Sequence, residues 1–350
     1  MSTIVSSGLD QNRNVVAPVT LRSTLLVCGL LLLFLLATIV VTSLLGSESL
    51  PTRPALCALF SFGNSACGLT PEQLTILLEI RFPRILLAGA VGASLAAAGA
   101  SYQALLRNPL AEPYLLGISN GAAVGTMIAL VFFGTFEWGR PLLAFVGALL
   151  ATLVVYRLGK GRAGATPERL ILAGVIVSTF LSSAIVFVTT LMDATRIRAF
   201  TFWLLGDLSG ATTSLLLIAI VIAIVATLVL AASARSLNLM MLGERDAFDL
   251  GVEVGRIRLI VFVAASLLVG SSVASGGSVG YVGLVVPHLV RLSIGSDNRI
   301  TVPAAALGGA LFVVIADTIA RTIIAPRELP VGAITALIGA PLFIYLLKRA

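Results

Sequence analysis

Arg81 and Arg84 flank Pro83 in the block RFPR, and Arg321 stands four residues after Asp317. A guanidinium is a planar fork matched to carboxylates, so these arginines suit binding to acidic groups on a partner. Arginine at the end of a membrane helix also snorkels to the interface, and that reading stands beside the first. The segment 241–256, MLGERDAFDLGVEVGR, sets Glu244, Arg245, Asp246, Asp249 and Glu253 around Gly243, Phe248, Leu250 and Val252. Phe248 and Val252, four residues apart, predict one apolar helix face. Mixed charge with an apolar stripe fits docking on another protein, with a solvated loop as the alternative. A third group is the elbow from Gln103 to Pro113, where Pro109 ends a helix and restricts Asn108 to extended conformations. Its polar residues fit either helix capping or a polar constriction. In the fourth, Ser178, Thr179, Ser182, Ser183, Thr189 and Thr190 either line a pathway or bond to their own helix backbone.

Other chemistries are excluded or unsupported. Gly159-Lys160 has Val154 where a phosphate-binding GxxxxGK[ST] loop needs glycine, so ATP hydrolysis by that route is closed to this chain. His288 is the single histidine, and no metal-ligand spacing occurs. Cys28 lies within an apolar run, while Cys57 and Cys67 fall in one external loop and are either disulfide-bonded or two free thiols. The middles of the apolar runs hold no acidic residue. Ion-coupled carriers place ionisable groups or broken helices there, so the energy source is expected on another polypeptide.

The elements that position these groups are membrane helices. Of 350 residues 58% are hydrophobic and 11% charged, and the mean hydropathy is +1.07. A soluble domain carries about 25% charged residues, so this chain cannot cover its own surface with charge. At roughly 20 residues per crossing, its apolar residues suffice for about ten spans. The runs lie at 23–46, 84–104, 114–134, 141–158, 169–191, 212–233, 257–275, 279–294, 302–320 and 330–347. The predicted fold is an all-α polytopic membrane protein, with a cytoplasmic tail at 1–22 and one transmembrane domain at 23–350. The first run is too long for the core of a cleaved signal and is expected to be retained.

With the N-terminus in the cytoplasm, 15 of the 23 Lys and Arg fall on the inner side and 8 on the outer, while the 16 acidic residues divide evenly. Basic excess marks cytoplasmic loops, so both termini are expected inside. The net charge of +7 is then a topology signal, and no basic soluble patch points to nucleic acid. Gly117, Gly121 and Gly125 predict a close-packed helix ridge. Gly276, Gly277, Gly280 and Gly283 predict a sharp external turn with close packing after it. Blocks beginning at Arg84 and Arg258 are loosely alike and enter from opposite sides, which suits an inverted repeat.

Several blocks, in order, resemble the FecCD family: RFPR at 81–84, Gln103, RNPLAEP at 107–113, LGISNGA at 116–122, GYVGLVVPHLVRL at 280–292, Asp317 with Arg321, and ELPVG followed by GAP within 328–341. The resemblance runs from about residue 24 to 348. Members of that family are permease subunits of ABC importers for iron-siderophores, haem and vitamin B12. The resemblance implies the type II importer permease fold with ten helices, in the cytoplasmic membrane of a bacterium or archaeon. It also implies a second permease subunit (identical or a close paralogue), two ATPase subunits carrying ATP and magnesium, and an extracytoplasmic substrate-binding protein. No cofactor or catalytic residue is then expected in this chain. By position, Arg81, Arg84 and Arg321 resemble the arginines that meet the binding protein. Segment 241–256, with Gly243, Glu244, Arg245, Asp246, Phe248, Leu250 and Val252, resembles the coupling helices that meet the ATPase. Gln103, Asn108, Leu110, Thr166 and Glu168 lie where similar transporters close the cytoplasmic mouth. The cargo it implies first is an iron(III)-siderophore. The alternatives are an ion-coupled secondary carrier, which needs no ATPase, and a membrane sensor, for whose signalling domain the chain leaves no room.

Overall fold

The computed structural model describes residues 20–46, 48–61, 68–133, 138–161 and 164–348. The expected tail, up to residue 19, lies outside the described residues, as do Cys67 and, among the counted charges, Asp10, Arg13, Glu137, Arg162 and Arg349. In chain order the helices are α1 (Leu21–Leu44), α2 (Thr52–Phe60), α3 (Pro71–Thr75), α4 (Phe82–Leu105), α5 (Ile118–Phe132), α6 (Gly139–Gly159), α7 (Pro167–Thr189), α8 (Ala194–Leu204), α9 (Thr213–Ala232), α10 (Ala234–Leu242), α11 (Glu244–Asp249), α12 (Val254–Gly276), α13 (Val282–Ile294), α14 (Asn298–Thr322) and α15 (Val331–Leu347). Between α6 and α7, strands β1 (Lys160–Gly161) and β2 (Gly164–Ala165) pair antiparallel, Lys160 opposite Ala165.

Seven helical stretches are long and apolar enough to cross a membrane, and α5, α13 and the last helix are shorter apolar ones. Together they coincide with the ten expected runs. A π-helical turn at Ile76–Arg81 joins α3 to α4, so the second span begins well before residue 84. Local chemistry sets the starts: Thr166, Asp193 and Thr212 accept backbone N–H groups at the heads of α7, α8 and α9. Pro71 and Pro167 occupy first-turn positions, where a missing N–H costs nothing.

Helix α4 is the axis of the bundle. Of its most apolar window 83% is buried, against 6% for α1, 17% for α7 and 28% for α9. Lipid is as apolar as leucine, so close backbone approach does the work of association between these helices. A Cβ at Gly92 would fall 2.1 Å from the Gly309 oxygen, and one at Gly99 2.0 Å from the Gly283 oxygen, so α14 and α13 press directly on α4. Gly121 and Gly125 pack in the same way on Gly147 and Leu143 of α6. Gly117 does not extend that ridge: at φ 75° it turns the chain into α5, a conformation a side chain resists.

The turn after α12 differs from the expected external turn. Gly277 and Val279 are buried. The Tyr114 hydroxyl donates to the Val279 carbonyl and accepts its N–H, both at 3.0 Å. Glu112 accepts the Tyr281 N–H at 3.0 Å, and Ser119 donates to Ser278 at 3.2 Å. The elbow that ends at Pro113, expected at one membrane face, and residues 277–281, expected at the other, therefore meet inside the protein. Helices of 15 and 13 residues explain how: at a rise of 1.5 Å per residue, α5 and α13 are about 20 Å long, shorter than the roughly 30 Å hydrocarbon core. Irregular backbone is tolerated at such depth only where protein covers it.

Candidate functional site

Two charged networks lie at opposite ends of α4. At its start, Asp317, 1% exposed, takes the Nε and Nη2 of Arg84 on one oxygen, at 3.1 and 3.0 Å, and the Nε of Arg321 on the other at 3.0 Å. The remaining Nη1 of Arg84 donates to Glu328 at 2.7 Å. Arg81, presented by the π-helical turn, donates to the Ser43 and Glu48 carbonyls at 3.2 and 2.7 Å. The three arginines are thus 4%, 8% and 5% exposed for Arg81, Arg84 and Arg321. In the single chain they form neither a free docking rim nor a set of snorkelling side chains. Charges this deep persist because Arg84 and Arg321 share the Asp317 carboxylate and Arg81 is held by backbone carbonyls. Glu328, half-exposed, is the member that sequence reasoning left out; its signal was an acid placed between Pro326 and Pro330.

At the far end of α4, Glu244 accepts from Arg258 and lies 3.9 Å from Arg107. Arg258, buried in α12, also donates to the Ala165 carbonyl in β2. One carboxylate at the head of α11 thereby ties together the α4–α5 elbow, the β1–β2 hairpin and α12. The sequence marks Arg107 through the RNPLAEP block and Arg258 as the start of a loosely repeated block, and shows neither as a partner of Glu244. Arg107 and Tyr281 are the non-glycine residues with positive φ among those described, 49° and 68°, and they mark the two turns that break the bundle.

Helix α11 places its candidates differently from the expected stripe. It ends at Asp249 because Gly251, at φ 84°, turns the chain, and Val252 folds back to donate its N–H to the Ala247 carbonyl at 2.9 Å. Phe248 is 71% exposed and Val252 8%, so the two do not share a face. The exposed apolar pair is Phe248 with Leu250, itself 62% exposed. Gly243 caps α11, and Arg245 and Asp246 lie on its first turn. Behind α11, Asn238 of α10 donates to Asp297 at 2.7 Å and accepts from Asn298 at 2.9 and 2.8 Å, joining α10 to α14. Burial works to raise the Asp297 carboxyl, but the hydrogen bonds from Arg299 and Asn238 outweigh it and hold its pKa below the usual carboxylate range.

Gln103 is buried in α4. It donates to the Gly283 carbonyl at 3.2 Å and accepts from Arg291, so it ties α4 to α13 and leaves no polar atom for an open mouth. Asn108 folds its side-chain oxygen onto the Leu110 N–H at 2.9 Å, which leaves Leu110 exposed. Thr166 caps α7, and Glu168 lies exposed on its first turn. Of the hydroxyls in α7, Thr179, Ser183, Thr189 and Thr190 bond their own helix backbone, and Ser182 accepts from Asn120. Cys57 is disulfide-bonded and Cys28 is free. Among the described residues no cluster of three or more His, Cys, Asp or Glu could hold a metal.

The family model described as the FecCD transport family matches residues 30–349. The hemin transport system permease protein of Yersinia pestis is 42% identical over 284 residues, covering 78% of this chain and 83% of the relative. The cobalamin import system permease protein of Halobacterium salinarum is 41% identical over 279 residues, covering 79% and 75%. The vitamin B12 import system permease protein of Vibrio cholerae is 42% identical over 287 residues, covering 81% and 86%. Among solved structures, one described as an inward-facing conformation of a metal-chelate type ABC transporter superposes with a TM-score of 0.80 at 30% identity, over 93% of this chain and 100% of the other.

Proposed function

The chain belongs to the FecCD transport family, and on that premise we propose that it is the membrane-spanning permease subunit of an ABC importer that moves a metal chelate into the cell. The observation that carries this reading is α11: an exposed apolar pair, Phe248 and Leu250, on a helix wired through Glu244 to Arg107 and Arg258. That arrangement suits a surface pushed by another protein and rigidly linked to the elbow it must move.

In this reading α11 and the exposed Leu242 receive a separate ATPase subunit. Arg107, Asn108 and Leu110 with Thr166 and Glu168 form the closing side of the cytoplasmic mouth. A substrate-binding protein docks at the other end of α4, where half-exposed Glu328 gives access to the Arg84–Asp317–Arg321 network and an incoming acid can compete for the arginines. A second copy or close paralogue completes the pathway, and both termini face the cytoplasm. ATP binding draws the ATPases together, and the permeases answer with a rigid-body rotation. The three permeases compared above are named for hemin, cobalamin and vitamin B12, which favours a tetrapyrrole chelate over the siderophore expected first.

The test is reconstitution of the chain with its binding protein and ATPase in liposomes, against haem, cobalamin and iron(III)-siderophores. ATP-dependent uptake of one chelate class supports the proposal. Uptake by this chain alone, driven by an ion gradient, overturns it.

A further inference from the structure

The starts of α6 and α9 and the end of α12 converge beside the Arg84 network. There they enclose a cavity of about 320 Å³ whose walls include Trp138, Arg140, Trp203, Asp207, Ser209 and Thr212. Asp207 and Ser209 also line the neighbouring cavity that holds Arg84 and Glu328, which fixes the end of the bundle concerned. Below it runs a second cavity of about 190 Å³, walled by Leu142, Phe145, Leu215, Ile218 and Ile222. Trp138, Pro141, Leu215, Ala274 and Ser275 border both, so the two form one cleft with a polar chamber above and an apolar groove beneath.

The chamber carries one charge of each sign. Arg140 is exposed and makes no hydrogen bond or ion pair with the described residues. Asp207 spends one carboxylate oxygen on the Ser209 N–H at 2.8 Å, and no cation among the described residues is bonded to it. The two tryptophans of the chain both stand on this wall, and tryptophan collects at membrane–water interfaces because its ring is apolar at one end and polar at the other. In the groove Leu142 and Ile218 are more than half exposed. In a bilayer an unfilled apolar groove forfeits its dispersion contacts.

We propose that this cleft binds one phospholipid with a zwitterionic aminophosphate headgroup, its phosphate on Arg140, its ammonium on Asp207 and one acyl chain in the groove. Shape and charge both select this occupant. A purely anionic headgroup meets Asp207 unfavourably, and a free phosphate leaves the groove unfilled. The site rests on the membrane-spanning fold and is independent of the cargo.

The test uses the purified full-length chain, delipidated, with phosphatidylethanolamine and phosphatidylglycerol as probes in native mass spectrometry. One phosphatidylethanolamine per chain is expected to bind saturably. Arg140→Ala should weaken it about tenfold, the scale of one charge-assisted hydrogen bond. Asp207→Asn should erase the preference over phosphatidylglycerol. A tail-diazirine phosphatidylethanolamine should label α6 and α9 residues of the groove several-fold above Leu25–Leu36 of α1, and Ala274→Trp, which fills the groove, should abolish that excess with thermal stability unchanged. Equal labelling of α1 and the groove, or binding indifferent to Arg140→Ala, overturns the proposal. So does efficient disulfide cross-linking between two Ile218→Cys copies, which would show that a second chain covers the cleft.

Discussion

Asp317 gives the sharpest test of how the bundle is held. It is 1% exposed and takes three hydrogen bonds from two guanidinium groups that are themselves buried. Removing one partner of a buried pair costs about 3–5 kcal/mol, because the other charge is left uncompensated in a medium that solvates it poorly. Here two charges lose their partner at once. Glu328 still accepts from Arg84, but its side chain is 43% exposed, and an ion pair open to water contributes only about 0–1 kcal/mol. Asp317→Ala should therefore destabilise by about 4–5 kcal/mol, and Asp317→Asn, which keeps the shape and one acceptor, by about 3 kcal/mol. Denaturant unfolding in micelles, followed by tryptophan fluorescence, measures both. Deleting one unneutralised charge should relieve the loss, so Arg321→Met with Asp317→Ala should cost at least about 1 kcal/mol less than the sum of the two singles. A cost under about 1 kcal/mol for Asp317→Ala, or additivity within about 0.5 kcal/mol, refutes the shared-carboxylate account.

Glu244→Gln should leave ATP hydrolysis by the assembled importer intact and lower uptake about tenfold, since one charge-assisted link of roughly 1.5–3 kcal/mol between α11 and its neighbours is lost; unchanged coupling between hydrolysis and uptake counts against the link. Phe248→Ala with Leu250→Ala should weaken ATPase binding by tenfold or more in a pull-down titration, whereas Val252→Ala should leave binding within twofold because Val252 is buried behind the surface. Gly99→Leu should cost more than about 3 kcal/mol, above the usual range for overpacking, because its Cβ meets backbone rather than a yielding side chain; near-normal thermal stability in micelles would contradict the packing. The folded-state pKa of Asp297 lies below its unfolded value, so the native state binds fewer protons there and its stabilising contribution is present above about pH 4 and lost as pH falls through the folded value. An acid-unfolding curve for Asp297→Asn should be shallower than wild type over that window, and identical curves would remove Asp297 from the account.

The membrane class and the crossings were readable because hydropathy is a local property: each apolar run declares itself within about 20 residues. The destination of a polar group was less readable. Arg84 carries the same local signature whether it faces a partner's acid or reaches Asp317, 233 positions away. The stripe drawn through Phe248 and Val252 assumed a helix through residue 252, and Gly251 decided otherwise. The ten apolar runs also hid that α5 and α13 stop partway, because a turn buried by the rest of the protein reads like one in water. In Gln103, polarity at a helix end suggested a mouth, and the structure uses it as a tie to α13.

The meeting of the two turns also has a consequence for synthesis. Tyr114 and Val279 are 165 positions apart, so the partners of Glu112, Tyr114 and Ser119 do not exist when α5 enters the membrane. At about 5–20 residues per second, the ribosome leaves those groups waiting about 10–30 seconds for residues 278–281. During that interval the first half of the chain is an inserted but unfinished body, with polar groups exposed where the second half belongs. A chain truncated before α12 never leaves that state, because the residues that satisfy Glu112, Tyr114 and Ser119 are never made.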